Sequence, residues 1–143
     1  MDAYETHGPV IALLAVPDDR TQHYGVISGS RAGDRLYHVD KLVEKPAPGT
    51  APSNLSVLGR YVLPPRIFDV LERTTPGKGG EIQLTDALDV LAREGQLWGL
   101  ETTGNLYDAG DRLGFIEATV AFALKRPELA KDLRPVLQRL LAS

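Results

Sequence analysis

The sequence predicts an α/β fold, one mixed sheet partly covered by helices. Three observations carry this. PVIALLAV, residues 9–16, is a continuous apolar run of strand length, bounded by Gly8 on one side and Pro17, Asp18 and Asp19 on the other, as in a strand covered on both faces. More strand patterns follow up to residue 63, after which the apolar residues fall at helical spacing. Few of the strands are followed by a helix able to cross over to a parallel neighbour, so part of a doubly wound sheet is expected to lie outside this chain.

After the first strand, HYGVIS (23–28) and DRLYHVDKLVEK (34–45) flank the link GSRAG, whose two glycines suit a hairpin. The loop APGTAPSN leads to LSVLGRYVL (55–63), where valine and tyrosine favour another inner strand. PPRIFDVLER then sets Ile67, Phe68 and Leu71 at helical spacing, with prolines tolerated in the first turn and Thr75-Pro76-Gly77 as the stop. LTDALDVLAREG repeats the pattern: Thr85 is the expected cap, Asp86 and Asp89 suit the positive end of the helix, and Gly95 marks its exit. QLWGLET (96–102) and NLYDAG (105–110) read as strands. A longer helix is expected from Asp111 through Phe115, Ile116, Val120 and Leu124 to Arg126, closed by Pro127, with helix to the end. No internal repeat or low-complexity segment is found.

Composition narrows the function classes. With 143 residues, one domain over 1–143 is expected. Sixteen basic and 19 acidic residues give a net charge of -3, which supplies no positive field for a nucleic acid or an anionic membrane. There is no cysteine, which excludes disulfides, thiolate metal sites and cysteine nucleophiles. The start, MDAYETHGPV, has no basic leader and no apolar run of signal length, and no later stretch is long and apolar enough for a membrane span. A cytoplasmic location is expected.

Two short stretches concentrate chemistry. In LVEKPAPG (42–49), Glu44 and Lys45 are neighbours on a strand and so point to opposite faces unless the strand ends there, and Pro46 ends it. Glu44 can accept from two adjacent sugar hydroxyls and Lys45 carries a mobile charge for a phosphate; a solvated ion pair is the alternative. Gly25, after Tyr24, either lets a ligand reach the backbone or marks a bulge. In YDAGDRLG (107–114), Asp108 stands at an expected strand end and a helix opens at Asp111. Strand ends facing a helix start are where α/β proteins hold Mg²⁺ and phosphate, and a carboxylate there serves the metal or caps the helix; Asp111 suits the cap better, which leaves Asp108 spare.

GKGGEIQLTDA (77–87) is glycine-rich but has neither P-loop nor dinucleotide-loop order. It is expected to set a rigid turn, with Glu81 and Gln83 free to face a ligand or partner. His7, His23 and His38 lack metal-ligand spacing, and there is no GxSxG elbow.

In their order and spacing, LVEKP, APSNLSVLGRYVL, GGEIQLTDAL and YDAGDRLGFIEATVAFALKR resemble blocks of the bacterial UTP-glucose-1-phosphate uridylyltransferases, and the likeness covers nearly all of residues 9–130. The resemblance implies a nucleotidyltransferase-type, Rossmann-like mixed sheet with flanking helices. It implies a reaction in which glucose 1-phosphate attacks the α-phosphorus of UTP and pyrophosphate leaves, assisted by Mg²⁺ without a covalent enzyme intermediate. Carried over by motif, Glu44 would bind glucose hydroxyls, Gly25 the sugar through its backbone, Lys45 the sugar phosphate as the catalytic residue, and Asp108 the metal.

The family's GxGTR-type nucleotide loop and its second metal-binding aspartate do not occur in these 143 residues. The resemblance therefore implies the carboxy-terminal, sugar-binding and oligomerisation half, lacking the amino-terminal nucleotide-binding half and inactive alone. Its ligand would be glucose 1-phosphate or UDP-glucose, and its partner a second copy or a complementing amino-terminal half. The alternative is a non-catalytic oligomerisation or regulatory module from the same family. A half sheet is expected to expose an edge strand and an apolar face.

Overall fold

The computed structural model describes residues 2–77 and 80–142. Among these, five strands build the sheet: β1 (Val10–Ala15), β2 (Gly25–Arg31), β3 (Leu36–Glu44), β4 (Leu55–Val62) and β5 (Trp98–Glu101). The helices are α1 (Asp2–His7), α2 (Ile67–Arg73), α3 (Leu84–Arg93), α4 (Arg112–Leu124) and α5 (Pro127–Leu141), with a 3₁₀ turn at Asp18–His23. Where one domain is expected over 1–143, the chain forms two compact units, Met1–Thr103 and Gly104–Ser143. All the strands belong to the first.

The sheet is mixed, as expected: β1 and β5 are parallel and the other pairs antiparallel. Its order, β1-β4-β2-β3-β5, closes on itself because β5 lies between β1 and β3. This corrects the expected free edge: each strand has a neighbour on both sides, and the four residues of β5 supply the missing pairing. The join of β2 to β4 is narrow, through Val26 and Ser56. There the buried Ser56 hydroxyl has no hydrogen-bond partner among the described residues.

Helix α3 closes the core. Ala87, Leu88, Leu91 and Ala92 repeat at helical spacing and pack with Ile11, Leu13, Ile27, Val39, Leu42, Ile67 and Leu97. Each such leucine contributes about 1.5–3 kcal/mol by leaving water. On β3, Val39 and Leu42 are both buried although three positions apart, which strict alternation forbids. A bulge resolves this: Ser28 faces Lys41 and Gly29 faces Val39, so Asp40 is the extra residue. Gly29 is needed there, since a Cβ would overlap the His38 carbonyl.

Past His38 and Val39, the β5 side of β3 passes from strand to helix. Val39 N–H donates to the Leu97 carbonyl at 3.0 Å. Leu42 N–H then donates to Asp89 Oδ1 of α3 at 2.8 Å, and Asp89 Oδ2 accepts from Arg93 Nε at 2.7 Å.

In the second unit Asp111 caps α4 as expected, accepting from the N–H groups of Leu113 (2.8 Å) and Gly114 (2.9 Å). Pro127 opens α5, where its missing N–H costs nothing. NLYDAG, expected as a strand, is not one. Gly110 N–H donates to Asp108 Oδ1 at 2.9 Å, a local turn that replaces a strand ladder. No helix among the described residues is long and apolar enough to cross a membrane.

Candidate functional site

The site begins where β3 ends. Gly25 and Glu44 face each other in the β2–β3 ladder. One residue on, Lys45 N–H still donates to the Tyr24 carbonyl at 3.1 Å. Lys45 then takes φ 42°, in the left-handed region that costs a non-glycine residue about 1 kcal/mol or more. On a continuing strand its side chain would leave on the face opposite Glu44. The left-handed turn instead brings Nζ to 3.8 Å from Glu44 Oε1. That ion pair is half exposed and is worth little as a stabilising contact; its significance is that acid and ammonium share one side of the chain.

Glu44 has the parity of Leu42, so its side chain continues the core face of β3 to the point where the first turn of α3 arrives. There Thr85 Oγ1 donates to Glu44 Oε2 at 2.6 Å. This corrects the expectation that Thr85 caps α3: the N-cap is Gln83, which makes no side-chain capping bond, and the Thr85 hydroxyl is directed to Glu44. Gly25 leaves room for this arrangement. A Cβ on it would stand 3.0 Å from Glu44 Oε2 and 3.6 Å from Thr85 Oγ1.

Tyr61 of β4 senses the Glu44 charge as the smaller of two causes that raise its phenol. Burial, reinforced by the negative charge of Glu44, holds its phenol above the ordinary value of 10.0, so it is a neutral donor at physiological pH. With Oε2 engaged by Thr85 and Oε1 near Lys45, the Glu44 carboxylate keeps lone pairs for further donors such as hydroxyls.

The structure thus brings Gly25, Glu44 and Lys45 together. Asp108 lies in the second unit, exposed, with Oδ1 accepting from Gly110 N–H. Among the described residues no cluster of three or more His, Cys, Asp or Glu side chains is disposed to hold a metal ion. Of the glycine-rich loop, Lys78 and Gly79 lie outside the described residues. Its Gln83 Nε2 donates to Glu81 Oε2 at 3.5 Å, so these two side chains face each other. A cavity of 540 Å³ between α2 and α3 holds none of the four predicted residues; Arg66 on its wall is paired with Glu94 and Gln96.

Sequence reasoning missed Thr85 as the partner of Glu44 and did not single out Tyr61. Thr85 offered a signal only inside its own segment, where a threonine ahead of an apolar period reads as a cap. Tyr61 reads simply as a strand residue.

The chain belongs to the nucleotidyl transferase family, whose model matches residues 1–123. Among particular proteins, it is 47% identical to the UTP-glucose-1-phosphate uridylyltransferase of Streptococcus pneumoniae serotype 4 over 142 residues, 98% of this chain and 48% of the relative. It is likewise 47% identical to the enzyme of that name from Staphylococcus epidermidis strain ATCC 35984 over 141 residues, 98% of this chain and 49% of the relative.

Solved structures agree. A UDP-glucose pyrophosphorylase complexed with UDP-glucose superposes with a TM-score of 0.83 at 40% identity, covering 87% of this chain and 48% of that one. A UTP-bound UGPase from Acinetobacter baumannii gives 0.84 at 34% identity, covering 97% and 48%. The chain spans about half the length of the relatives it matches.

Proposed function

We propose that this chain is the sugar-phosphate-binding half of a UTP-glucose-1-phosphate uridylyltransferase, corresponding to the carboxy-terminal part of that enzyme. The observation that carries the reading is the convergence of the Glu44 carboxylate, the Lys45 ammonium and the Gly25 backbone at one strand end. Glu44 accepts from adjacent glucose hydroxyls, the open backbone at Gly25 admits the sugar ring, and Lys45 neutralises the sugar phosphate. In the complete reaction a phosphate oxygen of glucose 1-phosphate bonds to the α-phosphorus of UTP while the bond to the β-phosphate breaks and pyrophosphate leaves. Lys45 acts there by charge and position.

Mg²⁺ fits this reading in one limited respect. Asp108 is a hard oxygen donor, and the usual habit of Mg²⁺ is one or two carboxylates with the remaining ligands from phosphates and water. When bound, the ion would offset phosphate charge. Asp108 would contribute one carboxylate oxygen.

The test is calorimetric titration with glucose 1-phosphate and UDP-glucose. The parent chain is expected to release heat with both, and Lys45→Ala to lose most of it. A silent parent overturns the sugar-site reading. Incubation with UTP, glucose 1-phosphate and Mg²⁺ is expected to give no UDP-glucose, and turnover would show that the chain is catalytically complete.

A second reading, a non-catalytic oligomerisation module, draws on the apolar residues Leu113, Phe115, Ile116 and Leu141, which stand 57–88% exposed on α4 and α5. They favour self-association or pairing with a complementing half. Light scattering decides it, since a stable monomer excludes the self-associating form.

A further inference from the structure

We propose that Thr85 is a positioning residue that sets the orientation of the Glu44 carboxylate, and so controls recognition of sugar hydroxyls separately from recognition of phosphate. The inference rests on the sugar-phosphate reading of Glu44 and adds to it a residue from a different element.

The terminal torsion of a glutamate is broad and roughly two-fold, so the end of β3 does not by itself fix the plane of the Glu44 carboxylate. Two flanking groups do. Thr85 Oγ1 donates to Oε2 at 2.6 Å, within the range of a strong charge-assisted bond, and Lys45 Nζ lies 3.8 Å from Oε1. The Lys45 side chain is 57% exposed and carries its charge on a flexible four-carbon stem, whereas Thr85 has a short, β-branched side chain on a core helix. Thr85 is the rigid partner.

The position of Thr85 is itself fixed. Helix α3 is joined to β3 at two points four residues apart, Thr85 to Glu44 and Asp89 to Leu42. Four helical residues rise about 6.0 Å, and two strand residues about 6.8 Å, so the two spacings match when helix and strand run in opposite directions. The Asp89 bond ends on a backbone N–H and holds the helix in register. The Thr85 bond ends on the carboxylate that would meet the ligand. Its hydroxyl does not serve as the helix cap, and the missing side chain of Gly25 leaves the space in which the bonded carboxylate lies.

The experiment compares the parent chain with Thr85→Val, Thr85→Ala and Thr85→Ser, titrated with glucose 1-phosphate and with inorganic phosphate, a probe without sugar hydroxyls. Thermal unfolding is followed in parallel. The expected result is about tenfold weaker binding of glucose 1-phosphate by the valine and alanine variants, with phosphate affinity within about twofold of the parent. Thr85→Ser should bind both as the parent does.

Equal binding of glucose 1-phosphate by the parent and the valine or alanine variant overturns the inference while leaving the sugar site intact. So does an equal loss of both ligands, a serine variant that fails to rescue, or unfolding of both hydroxyl-free variants, since each makes the residue merely structural. A parent that binds no glucose 1-phosphate overturns the underlying reading instead, and the inference falls with it.

Discussion

Glu44 and Asp108 start as equals in the sequence, each an acid at an expected strand end beside a turn-forming residue, and the fold treats them oppositely. The Glu44 carboxylate is held across the molecule, by Thr85 forty-one residues on and over the bare backbone of Gly25 in the next strand. The Asp108 carboxylate accepts from Gly110, two residues on, and stands exposed in a turn of its own unit. A carboxylate fixed by distant elements presents its free lone pairs at a defined angle before any ligand arrives, which is what discrimination among hydroxyls needs. One oriented by its own loop can shift with that loop, which suits a soft electrostatic role.

The largest expected effect tests whether that difference depends on the core. Leu88 is 1% exposed and sits one turn into the helix that carries Thr85. Leu88→Ala should cost about 2–5 kcal/mol, from lost transfer energy and the cavity left behind. Urea unfolding followed by Trp98, the one tryptophan of the sequence, measures this in the first unit. A loss under about 1 kcal/mol would mean that α3 is not held as a core helix, and Glu44 would then be no better fixed than Asp108.

A smaller effect sharpens the same contrast. Gly25→Ala places a methyl 3.0 Å from Glu44 Oε2, tighter than an ordinary contact, so the carboxylate must give by a few tenths of an ångström and leave its bonded position. Affinity for glucose 1-phosphate should fall roughly tenfold, equivalent to about 1.4 kcal/mol. Unchanged affinity in a titration would show that the carboxylate orientation does not matter to the ligand.

The difference between the two acids also explains what could be read in the sequence. β1, the β2–β3 hairpin, β4, α2, α3 and the two late helices follow from apolar period and from Pro, Gly and Asx signals, all local. The pair at 44 and 45 was legible because Pro46 ends the strand. Closure of the sheet by β5 was not, since four residues of strand pattern do not say which two strands they join. Nor was the role of Thr85, because a bond across 41 residues leaves no trace in either segment. NLYDAG failed for the opposite reason: its alternation is strand-like, but a local bond from Gly110 N–H to Asp108 Oδ1 makes a turn there. The short α1 and the 3₁₀ turn at Asp18–His23 carry too few residues to show a period.

Within the second unit the two aspartates of YDAGD should separate by a modest amount. Asp111→Ala removes two bonds to the first turn of α4 and should cost about 1 kcal/mol of helix stability. Asp108→Ala removes one exposed bond inside a turn and should cost less than about 0.5 kcal/mol. Thermal unfolding followed by helical circular dichroism ranks them. The reverse order would mean that Asp108, not Asp111, organises the start of the helix.

The smallest expected effect concerns alkaline pH, and it returns to the Glu44 side. Burial and then the Glu44 charge raise the Tyr61 phenol above its ordinary value of 10.0. Above about pH 10 the unfolded chain therefore gives up this proton before the folded chain does. The stabilisation is complete below that pH and is lost as pH climbs through the folded value. Tyr61→Phe should flatten part of the alkaline decline in stability. Tyr37 is raised as well, by burial and then by its bond to Glu101, so some decline should persist until Tyr37→Phe is added. Adding Glu44→Gln to otherwise wild-type protein removes the secondary contribution alone, and should move the Tyr61 titration down by less than burial moved it up. If spectrophotometric titration shows no change on Glu44→Gln, the phenol does not sense that carboxylate, and Tyr61 belongs to the sheet rather than to the site.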